Sequence, residues 1–407
     1  MQSLSLPPVD PSSPAASRPP RRRPALALAL VGLCLSTQLG APADIDAGPV
    51  KLKPYGFIKV DAAYDSQETN QGNFALYVEP EEGASDSDQF SLTARATRLG
   101  LDLAGPPAAG ADVLGRVELD FFGSAMQDNK SGVLLRHAYA EMKWERARFL
   151  FGQTFDVLSP LWPDTLNYTV GWVAGNIGYR RPQVRYERLC GDPQGVSFLS
   201  QASVNRTISP ETLGAHDPGQ TSGFPTFEAR EAVTFQIDGR PLTFGVSGHY
   251  GQEDVEGHPT KEGATGLPED SDSWSVAGDL SWAVTPKLQL KAEVFAGDHL
   301  DSFLGGINQG INLETGEAVS SLGGWAQLGY DLPGGWKTHA GYTTDDPDDD
   351  DLAATMRSRN QSIYGNLIYE FNAQLAMGAE LSYWTTDYLE NSDADAVRVQ
   401  WTGLYRF

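Results

Sequence analysis

The chain ends in Val397-Arg398-Val399-Gln400-Trp401-Thr402-Gly403-Leu404-Tyr405-Arg406-Phe407, and this stretch decides the fold. Every second residue from Val397 is apolar, aromatic or glycine, while the residues between them are mostly polar. A period of two predicts a β-strand with one apolar face. In a soluble protein, a strand at the chain end would be an exposed edge, which proteins usually cover. In a membrane barrel it would be the closing strand, paired with the first strand so that no edge remains.

The preceding sequence favours the barrel. From Pro54 onward it contains about sixteen strand-like stretches of the ~10-residue length that a tilted membrane-spanning strand needs. Their connections alternate between short and long, which an up-and-down membrane barrel predicts and a sandwich or propeller does not. The short connections are residues 105–110, 145–147, 191–194, 238–241, 285–287, 333–335 and 372–373. We therefore predict an all-β protein, a transmembrane antiparallel up-and-down β-barrel of about 16 strands. A final phenylalanine is also typical of bacterial outer-membrane strands.

Most of these stretches alternate cleanly between apolar and polar residues, but two do not. Between residues 90 and 103 the apolar positions change parity, which predicts a bulge near Thr97 and Arg98. Between residues 133 and 144 both parities are mixed, so the direction of Arg136 stays open. Burial of this strand in a subunit contact is one explanation.

The first residues have the features of an export signal. Three arginines at 21–23 precede a short apolar run, and Ala41-Pro42-Ala43 fits the small-residue cleavage pattern. We expect residues 1–43 to be a cleaved signal peptide, 44–53 a short periplasmic segment and 54–407 the barrel, located in the outer membrane of a Gram-negative bacterium. No later run reaches about eighteen apolar residues, so helical membrane spans are not expected.

The charge is strongly acidic. The net charge of −23 becomes −26 when the four arginines and one aspartate of the leader are removed, which excludes a nucleic-acid partner. Acidic residues concentrate in long connections, at 79–88 and 345–351. We interpret them as solvated loop tips; bridging of divalent cations to lipopolysaccharide, or a weak Ca²⁺ site, is the alternative. The expected partners are outer-membrane lipid and lipopolysaccharide.

Sequence motifs for chemistry are absent. The six histidines form no HExxH pair, and no Cys/His cluster, G-x-S-x-G elbow or P-loop occurs. A membrane phospholipase would need a lipid-facing Ser–His pair, whereas Ser247, His249 and His339 fall on the lumen-facing parity. We therefore expect no enzyme, no cofactor and no metal. Cys190 would be alone in the mature chain, so no internal disulfide is expected.

The arginines are the candidate functional residues. Fifteen of the 26 Lys and Arg residues of the mature chain lie between Lys51 and Arg188. They flank the connection 153–182, which is too apolar for a loop in water and is therefore predicted to fold into the lumen. It ends in Arg180 and Arg181, with Arg185 close behind, so arginines opposite the loop would form an electropositive constriction able to attract carboxylates.

Strand parity directs Arg95 and Arg116 into the lumen, and Arg98 as well if the predicted bulge is present. The alternative is that the arginines pair with neighbouring acids and simply neutralise the wall. The candidate partners are Asp102, Glu118, Asp120 and Glu187.

Several ordered motifs of the front third resemble the DcaP-like trimeric porins. They are Tyr55-Gly56-Phe57-Ile58-Lys59-Val60-Asp61, Thr97-Arg98-Leu99-Gly100, Gly115-Arg116-Val117-Glu118-Leu119-Asp120-Phe121-Phe122-Gly123, Arg136-His137-Ala138-Tyr139, Gly152-Gln153-Thr154 and Arg181-Pro182-Gln183-Val184-Arg185-Tyr186. The resemblance implies a sixteen-stranded homotrimeric channel for small organic anions, dicarboxylates among them. By motif, it implies pore roles for Arg98, Arg116, Arg136, Arg181 and Arg185.

The sequence thus predicts an outer-membrane porin that passes small organic anions by diffusion through an arginine-lined constriction. A general or cation-leaning porin is the first alternative, favoured by the net charge. A non-conducting structural or adhesive barrel is the second.

Overall fold

The computed structural model describes residues 44–70, 72–80, 88–123, 130–208, 218–254 and 270–407. The expected signal peptide, residues 1–43, lies outside these described residues, as do the acidic residues at 81–87. The described residues form one antiparallel sheet of eighteen strand segments. Among them, no helix has the length and apolar character needed to cross a membrane.

The strands follow one another around the sheet in chain order. They are β1 (Ile45–Ala47), β2 (Val50–Asp65), β3 (Gln89–Thr93), β4 (Arg98–Ala108), β5 (Ala111–Asp120), β6 (Leu134–Lys143), β7 (Ala147–Phe155), β8 (Arg180–Gly191), β9 (Val196–Asn205), β10 (Thr226–Ile237), β11 (Arg240–Asp254), β12 (Asp270–Ala283), β13 (Leu288–Asp298), β14 (Ser320–Asp331), β15 (Trp336–Pro347), β16 (Arg357–Glu370), β17 (Leu375–Tyr388) and β18 (Ala394–Arg406).

The barrel itself has sixteen strands, as predicted. Strands β3 and β4 both pair with β2 and count as one barrel strand, which is interrupted at residues 94–97. This interruption is the irregularity predicted near Thr97 and Arg98 from the change of parity. Strand β1 pairs only with the first residues of β2, so it adds a short hairpin to the barrel rather than a wall strand.

The final strand closes the barrel by pairing with the first. Antiparallel pairs run from Arg398 opposite Asp65 to Arg406 opposite Phe57. The terminal Phe407 extends the ladder, because its N–H donates to the Gly56 carbonyl at 3.0 Å and its carbonyl accepts from the Gly56 N–H at 3.2 Å. Among the described residues, closure therefore leaves the sixteen-stranded wall without an open edge, as a membrane environment requires.

The first strand begins earlier than expected. Residues 44–53, expected to precede the barrel, instead supply β1 and the start of β2, which pairs with β4 from Lys51 onward. Lys51 and Lys53 are both exposed at this end of the barrel. Their charge does not prevent pairing, because the ladder uses only backbone groups.

The two ends of the barrel differ as predicted. Tight connections between β4 and β5, β6 and β7, and each later pair of the same parity form one end, here called the turn end. The opposite end, the loop end, carries the long connections. Two of these are central to the site: the inserted loop, residues 156–179, and the second loop, residues 299–319.

The two faces of the wall have opposite character. Apolar side chains on the outside are widely exposed, for example Val246, Val294 and Ile363 at 59–60%. Polar side chains on the inside are buried; in β18, Arg398, Gln400 and Thr402 are no more than 4% exposed. The alternation is therefore apolar outward and polar inward, as in a transmembrane barrel.

A β-bulge explains the mixed parity of β6. Glu118 pairs with His137, but the next residue of β5, Leu119, pairs with Leu135, so Arg136 is the extra residue. Both Arg136 and His137 consequently point inward and are buried. A bulge re-aims side chains in this way, and it accounts for the irregular pattern without a subunit contact.

Candidate channel constriction

The inserted loop follows the inner wall around most of its circumference. From residue 157 to residue 168 it makes hydrogen bonds in turn to β10, β11, β13, β14, β17, β18 and β5. The wall partners are Glu228, Ser247, Glu293, Gln327, Glu380, Gln400 and Asp120. The prediction that this apolar connection folds against the lumen side agrees with these contacts.

Three wall glutamates hold the loop backbone. Glu228 accepts from the Val157 N–H at 2.9 Å, Glu293 from the Leu161 N–H at 2.7 Å, and Glu380 from the Leu166 N–H at 2.7 Å. These carboxylates are buried, at 2–3% exposure. A buried N–H group without an acceptor is costly, so these three hydrogen bonds hold the loop against the wall.

One aspartate of the loop is also held by the wall. Lys291 donates to Asp164 at 2.8 Å and Gln327 donates to it at 2.7 Å. Burial alone would raise the pKa of Asp164, but these two hydrogen bonds outweigh it and lower the pKa below its ordinary value. Asp164 therefore stays ionised and paired at neutral pH.

The second half of the inserted loop crosses the lumen toward β14 and β15. Gly175 has a φ of +108°, and a Cβ there would lie 2.3 Å from the Gly324 carbonyl oxygen. Only glycine meets both conditions. The second loop packs on this segment, because Gly178 N–H donates to the Phe303 carbonyl at 2.8 Å and Val173 N–H to the Leu304 carbonyl at 2.9 Å.

The wall facing the start of this segment carries a cluster of charges. Arg136 donates to Glu118 at 2.8 Å and to Asp120 at 2.6 Å. The Tyr168 hydroxyl of the inserted loop donates to Asp120 at 2.6 Å. Burial raises the pKa of Tyr168 well above its ordinary value, with nearby Arg136 opposing this rise and Asp120 adding to it. The phenol therefore remains a donor at any physiological pH.

Arg98 and Arg180 also belong to this cluster. Both are close enough to Arg136 for their positive charges to repel it. Arg98 lies 3.7 Å from Glu118, beyond hydrogen-bond length, and 29% of its side chain is exposed. Arg180 is 2% exposed. Its two terminal nitrogens have no hydrogen-bond partner among the described residues.

Arg180 is held by aromatic rings instead of acids. Its guanidinium lies 4.6 Å from the ring centre of Tyr179, 5.1 Å from Phe155 and 5.8 Å from Trp172. The same three rings line a cavity of about 420 Å³ beside the inserted loop. We call Arg98, Arg136, Arg180, Glu118 and Asp120 the arginine cluster. It holds three guanidinium groups against two carboxylates.

The other predicted arginines are more fully paired. Arg116 makes a two-pronged contact with Asp102, at 2.7 and 3.1 Å, and about a third of its side chain is exposed. Arg95 donates to the Asn73 side chain at 2.6 Å and lies over the Phe122 ring. Both point inward, as parity predicted, but lie beside the arginine cluster rather than within it.

Arg181 and Arg185 have structural surroundings. Arg181 is 0% exposed, lies 3.0 Å from Asp156 and stacks 3.8 Å over Phe303 of the second loop. Arg185 contacts the Gln183 side chain, Glu187 and the Phe155 carbonyl. These contacts agree with the alternative hypothesis, in which the arginines neutralise neighbouring acids.

Sequence reasoning missed the residues that fix the loop. Glu228, Glu293 and Glu380 lie on inward positions of their strands, but no local sequence signal links them to the loop backbone. Nothing in the sequence distinguishes Tyr168 from the other aromatic residues of the loop. The acidic run was also placed too uniformly in a loop, because Asp345 belongs to β15, is 0% exposed and accepts from Ser321 and the Ile307 N–H.

A closed sixteen-stranded antiparallel barrel with a loop folded against its inner wall is the architecture of outer-membrane porins. The crystal structure of the outer membrane channel DcaP of Acinetobacter baumannii superposes with a TM-score of 0.69 at 20% identity, covering 90% of this chain and 100% of that one. The anion-selective porin from Comamonas acidovorans gives a TM-score of 0.57 at 12% identity, covering 88% and 100%. The trimer form of OmpT of Vibrio cholerae gives 0.55 at 12% identity, covering 88% and 100%.

Within that class, the chain is similar to the DcaP outer membrane proteins. The family model described as DcaP outer membrane protein matches residues 31–202. This match confirms the resemblance that the front-third motifs indicated. A comparison with curated protein sequences gives no match.

Proposed function

We propose that this porin passes small organic anions, dicarboxylates among them, through a constriction formed by the arginine cluster and the inserted loop. The observation that carries the proposal is Arg180, a buried guanidinium whose terminal nitrogens have no hydrogen-bond partner among the described residues. A buried charge without a partner is costly. The positive charge of Arg180, which no carboxylate of the described residues contacts directly, favours a carboxylate in the adjoining constriction. The partly exposed Arg98 can contact that carboxylate in the planar geometry that guanidinium groups match.

The distribution of acids supports the same preference. The far-wall glutamates are occupied by backbone N–H groups of the inserted loop, and Asp164 is paired with Lys291. The acidic loop-end residues would repel anions at long range, but screening limits this effect to roughly 8–10 Å at physiological salt. The local excess of one positive charge at the constriction therefore dominates over the net charge of the chain.

Current block tests the proposal directly. We expect a four-carbon dicarboxylate to reduce single-channel current in planar bilayers, and Arg98→Gln and Arg180→Gln each to weaken this block severalfold. Arg359→Gln is the matched control, because Arg359 lies at the loop end, half exposed and paired with Asp346. Equal block in all of these channels would contradict the assignment.

A general or cation-leaning porin is the second candidate, and the net charge of −23 for the whole chain favours it. The same recordings distinguish the two, because such a channel would show no dependence on Arg98 or Arg180. A non-conducting structural barrel would give no channels at all. We also propose that residues 1–43 are a cleaved signal peptide, and that the barrel contacts outer-membrane lipid and lipopolysaccharide.

We also propose that the functional unit is a homotrimer, with strands β8 to β10 in the contact. Glu231 lies on the outward face of β10, midway between Phe227 and Phe235. It accepts a hydrogen bond from Ser200 at 2.7 Å and is exposed in the single chain. A charged group at this depth is unfavourable in lipid, so a neighbouring subunit is the better cover.

A further inference from the structure

Three metal-ligating side chains that do not belong to the arginine cluster lie close together near the loop end. Glu253 belongs to the end of β11, and His299 and Asp301 begin the second loop. His299 Nε2 lies 3.8 Å from Glu253 Oε2 and 3.7 Å from Asp301 Oδ1. One ligand atom from each residue can be chosen so that all lie within 4.8 Å of one another.

These separations suit a shared cation. They exceed hydrogen-bond length, whereas a cation with bonds of about 2.0–2.4 Å keeps neighbouring ligand atoms roughly 3–4 Å apart. Glu253 and His299 are each 2% exposed. Two carboxylates and an imidazole gathered in a buried place resemble a coordination sphere more than a solvated acidic surface.

The histidine is oriented by a neighbour, as ligating histidines usually are. Its Nδ1 lies 3.0 Å from the Ser271 hydroxyl, which leaves Nε2 facing the carboxylates. Ser271 itself stands opposite Glu253 in the ladder between β11 and β12. His299 also has a φ of +54°, a conformation that non-glycine residues rarely adopt.

The backbone opposite the cluster leaves room for an ion. A Cβ at Gly310 would lie 2.4 Å from His299 Cδ2 and 2.6 Å from Asp301 Oδ1. Any larger residue would therefore press on the ligands. Glu253, His299, Asp301 and Gly310 all line one cavity of about 400 Å³, which would admit the ion and its water ligands.

We propose that Glu253, His299 and Asp301 form a binding site for a first-row divalent cation, with Zn²⁺ as the representative ion. One imidazole nitrogen and two carboxylates favour such an ion over Ca²⁺ or Mg²⁺, which take oxygen ligands. Three protein ligands leave coordination positions for water from the cavity. No sequence motif reveals the site, because Glu253 at the end of β11 lies far along the chain from His299 and Asp301 in the second loop.

The site would link the second loop to the wall beside the constriction. Immediately after Asp301, the Ser302 carbonyl accepts from Arg181 and the Phe303 carbonyl from the Gly178 N–H. The bound ion therefore holds the start of the second loop, which in turn packs on the inserted loop. This inference does not depend on the solute that the channel carries.

Metal binding to the full-length protein in detergent tests the site. After removal of metals with EDTA, titration calorimetry should show one Zn²⁺ bound per chain, and Co²⁺ should give a visible absorption band. His299→Gln and Asp301→Asn should each weaken Zn²⁺ binding by about tenfold or more and abolish the Co²⁺ band. Gly310→Ala should weaken binding without removing a ligand.

Two control variants test whether Zn²⁺ binds elsewhere on the protein. His339→Gln removes a histidine that contacts Asn366 outside the cluster, and Asp350→Asn removes an exposed acid of the loop end. Both should bind Zn²⁺ as the unaltered protein does. The site is excluded if folded, unaltered protein binds no stoichiometric Zn²⁺, or if His299→Gln and Asp301→Asn leave binding unchanged.

Discussion

At the scale of single residues, Arg136 and Arg180 belong to the same cluster, but their guanidinium groups have very different surroundings. Arg136 has two carboxylates and the Tyr168 hydroxyl around its guanidinium. Arg180 has three aromatic rings and, among the described residues, no acceptor for its terminal nitrogens. The first is expected to hold the structure together, and the second to contribute the excess positive charge of the constriction.

Removal of Arg136 should be strongly destabilising. Arg136→Ala leaves Glu118 and Asp120 buried without their main partner, which costs about 3–5 kcal/mol for a buried ion pair. Equilibrium unfolding in guanidinium chloride, with the barrel refolded in detergent, measures this loss. Arg359→Ala breaks only an exposed pair and should change stability by about 1 kcal/mol or less. A similar small change for Arg136→Ala would show that the cluster does not stabilise the barrel.

The sequence indicated which arginines to consider, but not their partners. Parity placed Arg95 and Arg116 correctly on the inward face, although Arg95 lies in the interruption at residues 94–97. Arg136 could not be placed, since the bulge shifts parity by one residue and leaves no sequence signal of its own. The burial of Arg181 under Phe303 could not be predicted, because the contact joins residues more than a hundred positions apart.

At the scale of elements, the inserted loop is fixed mainly through its backbone. Three of its N–H groups donate to wall glutamates, which satisfies buried donors that would otherwise be costly. This arrangement accounts for an apolar loop that stays on a polar wall: the backbone contacts the acids, and the side chains pack on each other.

Loss of two of these acceptors should loosen the loop. With Glu293→Ala and Glu380→Ala combined, the Leu161 and Leu166 N–H groups lose their acceptors. We expect larger and noisier single-channel conductance at high salt. Combining Glu293→Gln with Glu380→Gln is the matched control, because glutamine keeps a carbonyl acceptor while removing the same charge. If both pairs behave alike, charge rather than anchoring sets the conductance.

Elements were the most predictable part of this chain. The alternation of short and long connections predicts the number of strands. The pattern of the final strand predicts that the barrel closes. The course of the inserted loop was predictable only as far as its apolar content, which required a wall to pack on. Its path along seven strands depends on polar and acidic residues at inward positions, which have no distinguishing feature in the sequence.

At the scale of the whole molecule, Glu231 is the outward residue that most needs an explanation. It lies in the middle of an apolar outward stripe, where lipid would otherwise be its surroundings. In a lipid-facing position, replacement by leucine would stabilise the barrel. In a subunit contact that supplies a donor, the same replacement would weaken the oligomer.

The sign of this effect is measurable. We expect Glu231→Leu to lower the temperature at which the trimer dissociates on native gels or in light scattering. Val294→Leu, an outward change on β13 away from this contact, should leave it unaltered. A raised dissociation temperature for Glu231→Leu would place Glu231 against lipid and move the subunit contact elsewhere.

Ion selectivity tests the central claim most directly. The reversal potential of the purified channel in a planar bilayer under a tenfold KCl gradient reports whether Cl⁻ or K⁺ passes more easily. Because the arginine cluster has one guanidinium more than it has carboxylates, we expect the sign of the reversal potential to show a preference for Cl⁻. In Arg180→Gln the reversal potential should move toward zero. A potential of the opposite sign in the unaltered channel would contradict the account.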